Sequence, residues 1–234
     1  PPQAPAPVTA PATASARVPF RPSARDLEAA RKMAAEKRNY GTPWLSCPMG
    51  ETRPTHKTRV FIFGHVGSGP SFFFPLVKEL NQDPAVEALT AQLPGRGTRT
   101  KEKCLTRASK IAEEFLDAAG CLLNEKPYIL VGHSMGCCQI YHVALEAKKR
   151  GLRMPSHMIL SSRPAIDWVY TKPYHKATDE VIREFMKDGT PQAILDNAEM
   201  MAMLMPTIRA DHEVCETAGL PLSEAPVLDV PFTV

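Results

Sequence analysis

A glycine-flanked serine at the junction of two hydrophobic patterns constrains this chain more than any other feature. Residues 128–131 form an apolar run of strand type, and residues 137–150 carry apolar side chains at helical spacing. Between them stands Gly132-His133-Ser134-Met135-Gly136. A strand, a tight turn and a helix in that order lift a serine hydroxyl above a sheet, and glycines on both flanks let the turn close. The helix amino terminus then offers N–H groups to a developing oxyanion. The five-residue string alone is a weak signal; its place between strand and helix makes Ser134 the candidate nucleophile.

The rest of the chain fits one domain around that turn. Its 234 residues, 44% of them hydrophobic, suffice for a sizeable α/β core. No stretch approaches the roughly 18 apolar residues of a membrane span, so a soluble globular chain without a transmembrane segment is expected. A net charge of +3, with basic residues not interleaved with aromatics, predicts no nucleic-acid partner. Six cysteines without a C-x-x-C pair read as reduced, packed thiols. They predict a reducing compartment, either the cytoplasm or an organelle interior. Neither H-E-x-x-H nor a paired Cys/His spacing occurs, and no metal or cofactor is expected.

Residues 1–22 are rich in Pro, Ala, Thr, Ser and Val, hold Arg17 and Arg21 and contain no acid. Such a segment cannot bury a core. Three origins are open to it: a linker from a larger polypeptide, a processed organelle-targeting remnant, or an arm held by a larger assembly. Residues 23–40 begin with Ser23-Ala24-Arg25-Asp26, a serine cap with an acid three residues on. Leu27, Ala30, Met33 and Ala34 then share one face. This predicts a short amphipathic helix packed on the domain or on a neighbour.

From residue 44 strand and helix patterns alternate: strands over 59–63, 86–92, 128–131 and 157–161, helices over 70–80, 106–123 and 137–150. That order predicts a central, mostly parallel sheet with helices on both faces. Residues 165–222 read as helices, with Thr190-Pro191 starting one and Ile194, Leu195, Ala198, Met201 and Leu204 continuing it until Pro206. Met200, Met201, Met203 and Met205 give that helix an adaptable apolar surface. A final strand is expected over 230–234.

Five segments occur in a telling order: Trp44-Leu45, Phe63-Gly64-His65-Val66-Gly67-Ser68-Gly69, Gln92-Leu93-Pro94-Gly95-Arg96, the serine turn, and Pro206-Thr207-Ile208-Arg209-Ala210-Asp211. Together they make residues 44–234 resemble the type II thioesterases that serve polyketide and non-ribosomal peptide synthases. The resemblance implies an α/β-hydrolase fold with a helical lid over about 165–222. It also implies hydrolysis of an acyl thioester on the phosphopantetheine arm of an acyl carrier protein. Ser134 takes the nucleophile's place, and the N–H groups of Met135 and Val66 take those of the oxyanion donors. The family loop of Phe-Pro-Tyr-Ala-Gly-Gly type is here Phe-Gly-His-Val-Gly-Ser. His65 either faces the pocket or is an exposed loop imidazole. His133 sits in the serine turn at the rim, its side chain expected to point away from the pocket. Arg96, on the rim, either pairs within the protein or meets the phosphate of the carrier arm.

An activated serine needs an imidazole and, usually, an acid to hold it. In the family both follow the strand that here reads 230–234, so the resemblance implies that the carboxyl-terminal part of the fold, with acid and histidine, is missing from these residues. None of the seven histidines stands in the loop from which the fold delivers its base. Asp167, after the strand that follows the serine turn, is a candidate acid or a helix cap. Asp229 precedes the last strand, at the wrong end of a parallel sheet. Two readings therefore stand: an acyl-thioesterase, or a catalytically silent thioesterase-fold subunit of a larger assembly.

Overall fold

The computed structural model describes residues 39–47, 55–168, 170–220 and 228–234. The expected arm over 1–22 and nearly all of the expected helix over 23–40 lie outside the described residues.

Six strands form one sheet in the order β1 (Leu45–Ser46), β3 (Val86–Ala91), β2 (Thr58–Phe63), β4 (Tyr128–His133), β5 (His157–Ser161), β6 (Phe232–Thr233). Only β1 runs antiparallel to its neighbour. Side chains alternate across a strand, so each strand feeds two cores. Phe61 and Phe63 of β2 join Tyr128 and Leu130 of β4 on one face. Val60 and Ile62 turn to the other, with Ile129 and Val131 beside them. Helices α2 (Ala108–Glu125) and α3 (Met135–Lys149) cover the first face, and α1 (Phe74–Leu80), led by a 3-10 turn over Pro70–Phe73, supplies Val77 to the second. Phe115 of α2 meets Phe61 and Phe63 edge-on at 5.8 and 5.1 Å. Each fully buried ring contributes on the order of 2 kcal/mol from apolar area alone.

Between β5 and β6 the described residues hold the helices α4 (Asp179–Met186), α5 (Gln192–Leu195) and α6 (Ala198–Thr217). One expectation needs correcting. The helix read from 190 to 206 is two helices, because the Asn197 side chain accepts the Met200 N–H and caps a new start. Thr190 is not a cap, since Pro191 holds that place for α5. Pro206 does not stop α6 but lies inside it. An interior proline costs about 3 kcal/mol, and burial of Thr207, Ile208, Asp211, Val214 and Cys215 downstream offsets it. Ile182, Leu195, Met201, Met205 and Ile208 form a core of their own, packed against Val66. Met200 and Met203 face outward. Among the described residues no helix is long and apolar enough to cross a membrane.

Candidate active site

Ser134 joins β4 to α3 with φ 53° and ψ −113°. That is a left-handed backbone position for a residue with a Cβ, and such strain, of about 1–3 kcal/mol, persists only where the surroundings over-determine it. Two close approaches do so here. A Cβ on Gly136 would sit 2.1 Å from the Phe63 carbonyl oxygen, and one on Gly132 would sit 2.6 Å from the Gly136 backbone. The Ser134 N–H donates to Ser161 O at 2.8 Å, tying the turn to β5. Met135 occupies the first position of α3, where an N–H has no intrahelical acceptor and stays available to a ligand.

The second wall is the turn after β2. Ser68 donates to His65 O through its N–H at 3.1 Å and through its hydroxyl at 2.7 Å. Gly67 at φ +75° takes the third place of that turn, which L side chains rarely adopt. Val66 therefore rides on a closed four-residue turn next to the elbow, its side chain packed against the α4–α6 core.

Arg96 resolves in favour of the internal pair. Its guanidinium clamps Asp211 of α6 at 2.8 and 2.6 Å, and it also donates to Ser68 O at 3.1 Å. The Gly67 N–H donates to the same Asp211 carboxylate at 2.8 Å. Burial works against the Arg96 charge, and the Asp211 carboxylate outweighs it and holds the guanidinium above its usual range. Asp211 stands in the sequence only as the last residue of the Pro206-Thr207-Ile208-Arg209-Ala210-Asp211 segment, and its partners come from the fold. The available signal was an acid at the helical spacing of a buried stripe that includes Met201, Met205, Ile208 and Cys215.

His65 is not an exposed loop imidazole: it is half buried, edge-on to Phe72 at 4.5 Å and to His133 at 5.7 Å. Burial, and then the neighbouring His133, press its pKa below the ordinary histidine value. His133 places Nδ1 3.1 Å from the Ser161 hydroxyl and its ring beside Phe73. Asp167 falls in the turn closed by the Trp168 N–H to Ala165 O, and no described helix starts there for it to cap. No described residue hydrogen-bonds its carboxylate.

The other histidines are engaged elsewhere. His56 meets Glu87 at 2.9 Å, His142 donates to Ala218 O, His157 meets the Thr233 hydroxyl, His175 pairs with Glu216, and His212 stacks on Tyr174. None of the seven hydrogen-bonds the Ser134 hydroxyl. The six cysteines are free. Burial pushes Cys138 up to about 11, and Cys215 up to about 12, so both stay thiols rather than nucleophilic thiolates near neutral pH. Among the described residues no three His, Cys, Asp or Glu converge as metal ligands. A groove of about 410 Å³ opens between the Gly67 turn, the 95–98 loop and α6, with Met203, Leu204 and Thr207 on its α6 side.

A mostly parallel sheet, a serine in a strained strand-to-helix turn and a glycine-bearing turn beside it define an α/β-hydrolase fold with a nucleophile elbow. The thioesterase-domain family model matches residues 58–231, and the chain belongs to that family. It is 33% identical over 162 residues to the gramicidin S biosynthesis protein GrsT of Aneurinibacillus migulanus, covering 68% of this chain and 62% of that protein. This chain thus spans less than two thirds of that relative's length. The RedJ thioesterase from the prodiginine biosynthetic pathway in Streptomyces coelicolor superimposes with a TM-score of 0.70 at 28% identity, covering 86% of this chain and 77% of that one. The type II thioesterase BorB from the borrelidin biosynthetic cluster gives 0.69 at 25%, covering 83% and 77%.

Proposed function

We propose that this protein is a serine acyl-thioesterase acting on acyl chains carried by a phosphopantetheine thioester. The observation that carries the reading is the strained Ser134 backbone, held over β4 by two glycine approaches and set at the amino terminus of α3. The serine oxygen attacks the thioester carbonyl, and the N–H groups of Val66 and Met135 receive the oxyanion. The carrier thiol leaves with a proton, an acyl-Ser134 ester remains, and water hydrolyses it. Activation of the hydroxyl by an imidazole belongs to this proposal.

In this reading residues 165–222 form the lid, and the groove between the Gly67 turn and α6 is a candidate channel for the acyl or pantetheine chain. The biosynthetic names of GrsT and RedJ support a carrier protein as partner. The test is serine-directed phosphonate labelling of the natural full-length protein, together with hydrolysis of acyl-pantetheine thioesters. Both are expected, and both are expected to vanish in Ser134→Ala. A full-length protein that neither labels nor hydrolyses would leave the silent-subunit reading in its place.

A further inference from the structure

The Arg96–Asp211 pair sits where an ion pair is hard to justify by stability. Replacing a buried pair with apolar side chains of similar volume is often neutral or stabilising, because desolvation of the two charges roughly cancels their attraction. Asp211 is fully buried and Arg96 nearly so. An apolar pair would fill that space, but it would not hold a backbone N–H in a fixed direction.

The hydrogen bonds close a ring around one peptide of the oxyanion turn. The Gly67 N–H donates to Asp211 Oδ2, the same oxygen accepts Arg96 Nη1, and that nitrogen also donates to Ser68 O. The second guanidinium nitrogen locks Asp211 through Oδ1 at 2.6 Å. One helical turn earlier, Ile208 lies beside the turn: its Cγ1 is 3.5 Å from where a Gly67 Cβ would be, an ordinary contact distance. Glycine leaves the turn free to swing; the hydrogen-bonded ring removes that freedom.

We infer that Asp211, aimed by Arg96, is a positioning residue for the oxyanion hole: it anchors the Gly67–Ser68 peptide to α6 and so fixes where the Val66 N–H points. The inference rests on the thioesterase reading. An oxyanion donor works within about 2.7–3.1 Å of the oxygen it serves, and a misplacement of about 1 Å costs on the order of 100-fold in rate. The anchor also makes the lid and the chemistry one body, since α6 carries the Met201, Met205 and Ile208 surface against which Val66 packs.

The experiment uses the natural full-length protein. Asp211→Asn keeps the size and one acceptor oxygen but removes the charge that aims Arg96. The expected result is a kcat on acyl-pantetheine thioesters lowered on the order of 100-fold, with KM within about threefold because ground-state contacts are untouched. Amide exchange at Gly67 is expected to accelerate. A second variant, Arg96→Met with Asp211→Leu, keeps the volume apolar. It is expected to melt near the wild-type temperature and still show the low kcat. Wild-type kcat per folded molecule in either variant, or unchanged Gly67 exchange in Asp211→Asn, would overturn the inference. A wild type that never hydrolyses thioesters, while Gly67 exchange still accelerates in Asp211→Asn, sinks the thioesterase reading and leaves the anchoring of the turn standing.

Discussion

Among the described residues two arginine–carboxylate pairs are buried, at opposite ends of the same sheet. At the amino end Glu87 of β3 accepts Arg59 Nε of β2 at 2.6 Å and the Tyr40 hydroxyl at 3.0 Å. Arg59 reaches on to Leu122 O and Glu125 at the end of α2. The partners there, His56 before β2 included, belong to strands, a helix end or the segments leading into β1 and β2, so the network welds scaffold to scaffold. At the carboxyl end Asp211 holds Arg96 and one backbone N–H of a loop turn. Open parallel sheets carry their chemistry at the carboxyl ends of the strands. A buried arginine–carboxylate pair therefore ties scaffold together at one end and, on the inference drawn above, sets geometry at the other.

The comparison can be broken in order of effect. Ser134→Ala removes the nucleophile, and hydrolysis of acyl-pantetheine thioesters is expected to fall by about 10⁴-fold or more while the melting temperature barely moves, since no cavity forms. Asp211→Asn follows with the roughly 100-fold loss in kcat argued above. Glu87→Leu should do the opposite. It removes the buried carboxylate from Arg59, leaving the partly exposed Glu125 and the Leu122 carbonyl, and is expected to cost about 3 kcal/mol, read as a drop in Tm of roughly 6–12 °C, with kcat per folded molecule unchanged. A Glu87 variant that lost kcat at full stability would erase the distinction between the two ends.

Smaller effects sharpen it. Asn197→Ala takes the cap from α6 and should cost about 1 kcal/mol in urea unfolding, without the kcat loss of Asp211→Asn. Acid sensitivity should trace to His65, His142 and His212, which burial holds below the ordinary value of 6.5. Below about pH 6.5 the unfolded chain takes up protons that these folded imidazoles refuse. Stability is then flat in this term above 6.5 and lost as pH falls below it. Urea midpoints at pH 7.5 and 5.5 check this, and a midpoint that rose on acidification would contradict it.

Much of the scaffold was legible because the relevant forces are local. The strand over 157–161 falls at the residues the pattern indicates, and the Gly132-His133-Ser134-Met135-Gly136 turn follows from glycine sterics and the change of period. The passage of Pro206 through α6 was not legible, because tertiary burial decides against propensity there; the break at Asn197 is local cap chemistry hidden by the continuous apolar spacing across it. Arg96 could be read two ways, since its partner lies 115 residues away, a distance over which sequence spacing carries no signal. His65 could be read two ways for a related reason: Phe72, Phe73 and His133 come beside it only in the fold.

Pro206 has a consequence for how such a protein can change over generations. It divides α6 into an upstream part, with Met200, Met201, Met203 and Met205, and a downstream part that carries Ile208 and Asp211. The outward-facing Met200 and Met203 on the upstream side can be exchanged among apolar types, remoulding the exposed surface, while the downstream side keeps its grip on the turn beside Ser134. Selection can then retune preference and preserve reactivity within a single helix, because the two traits are inherited on opposite sides of one imino acid.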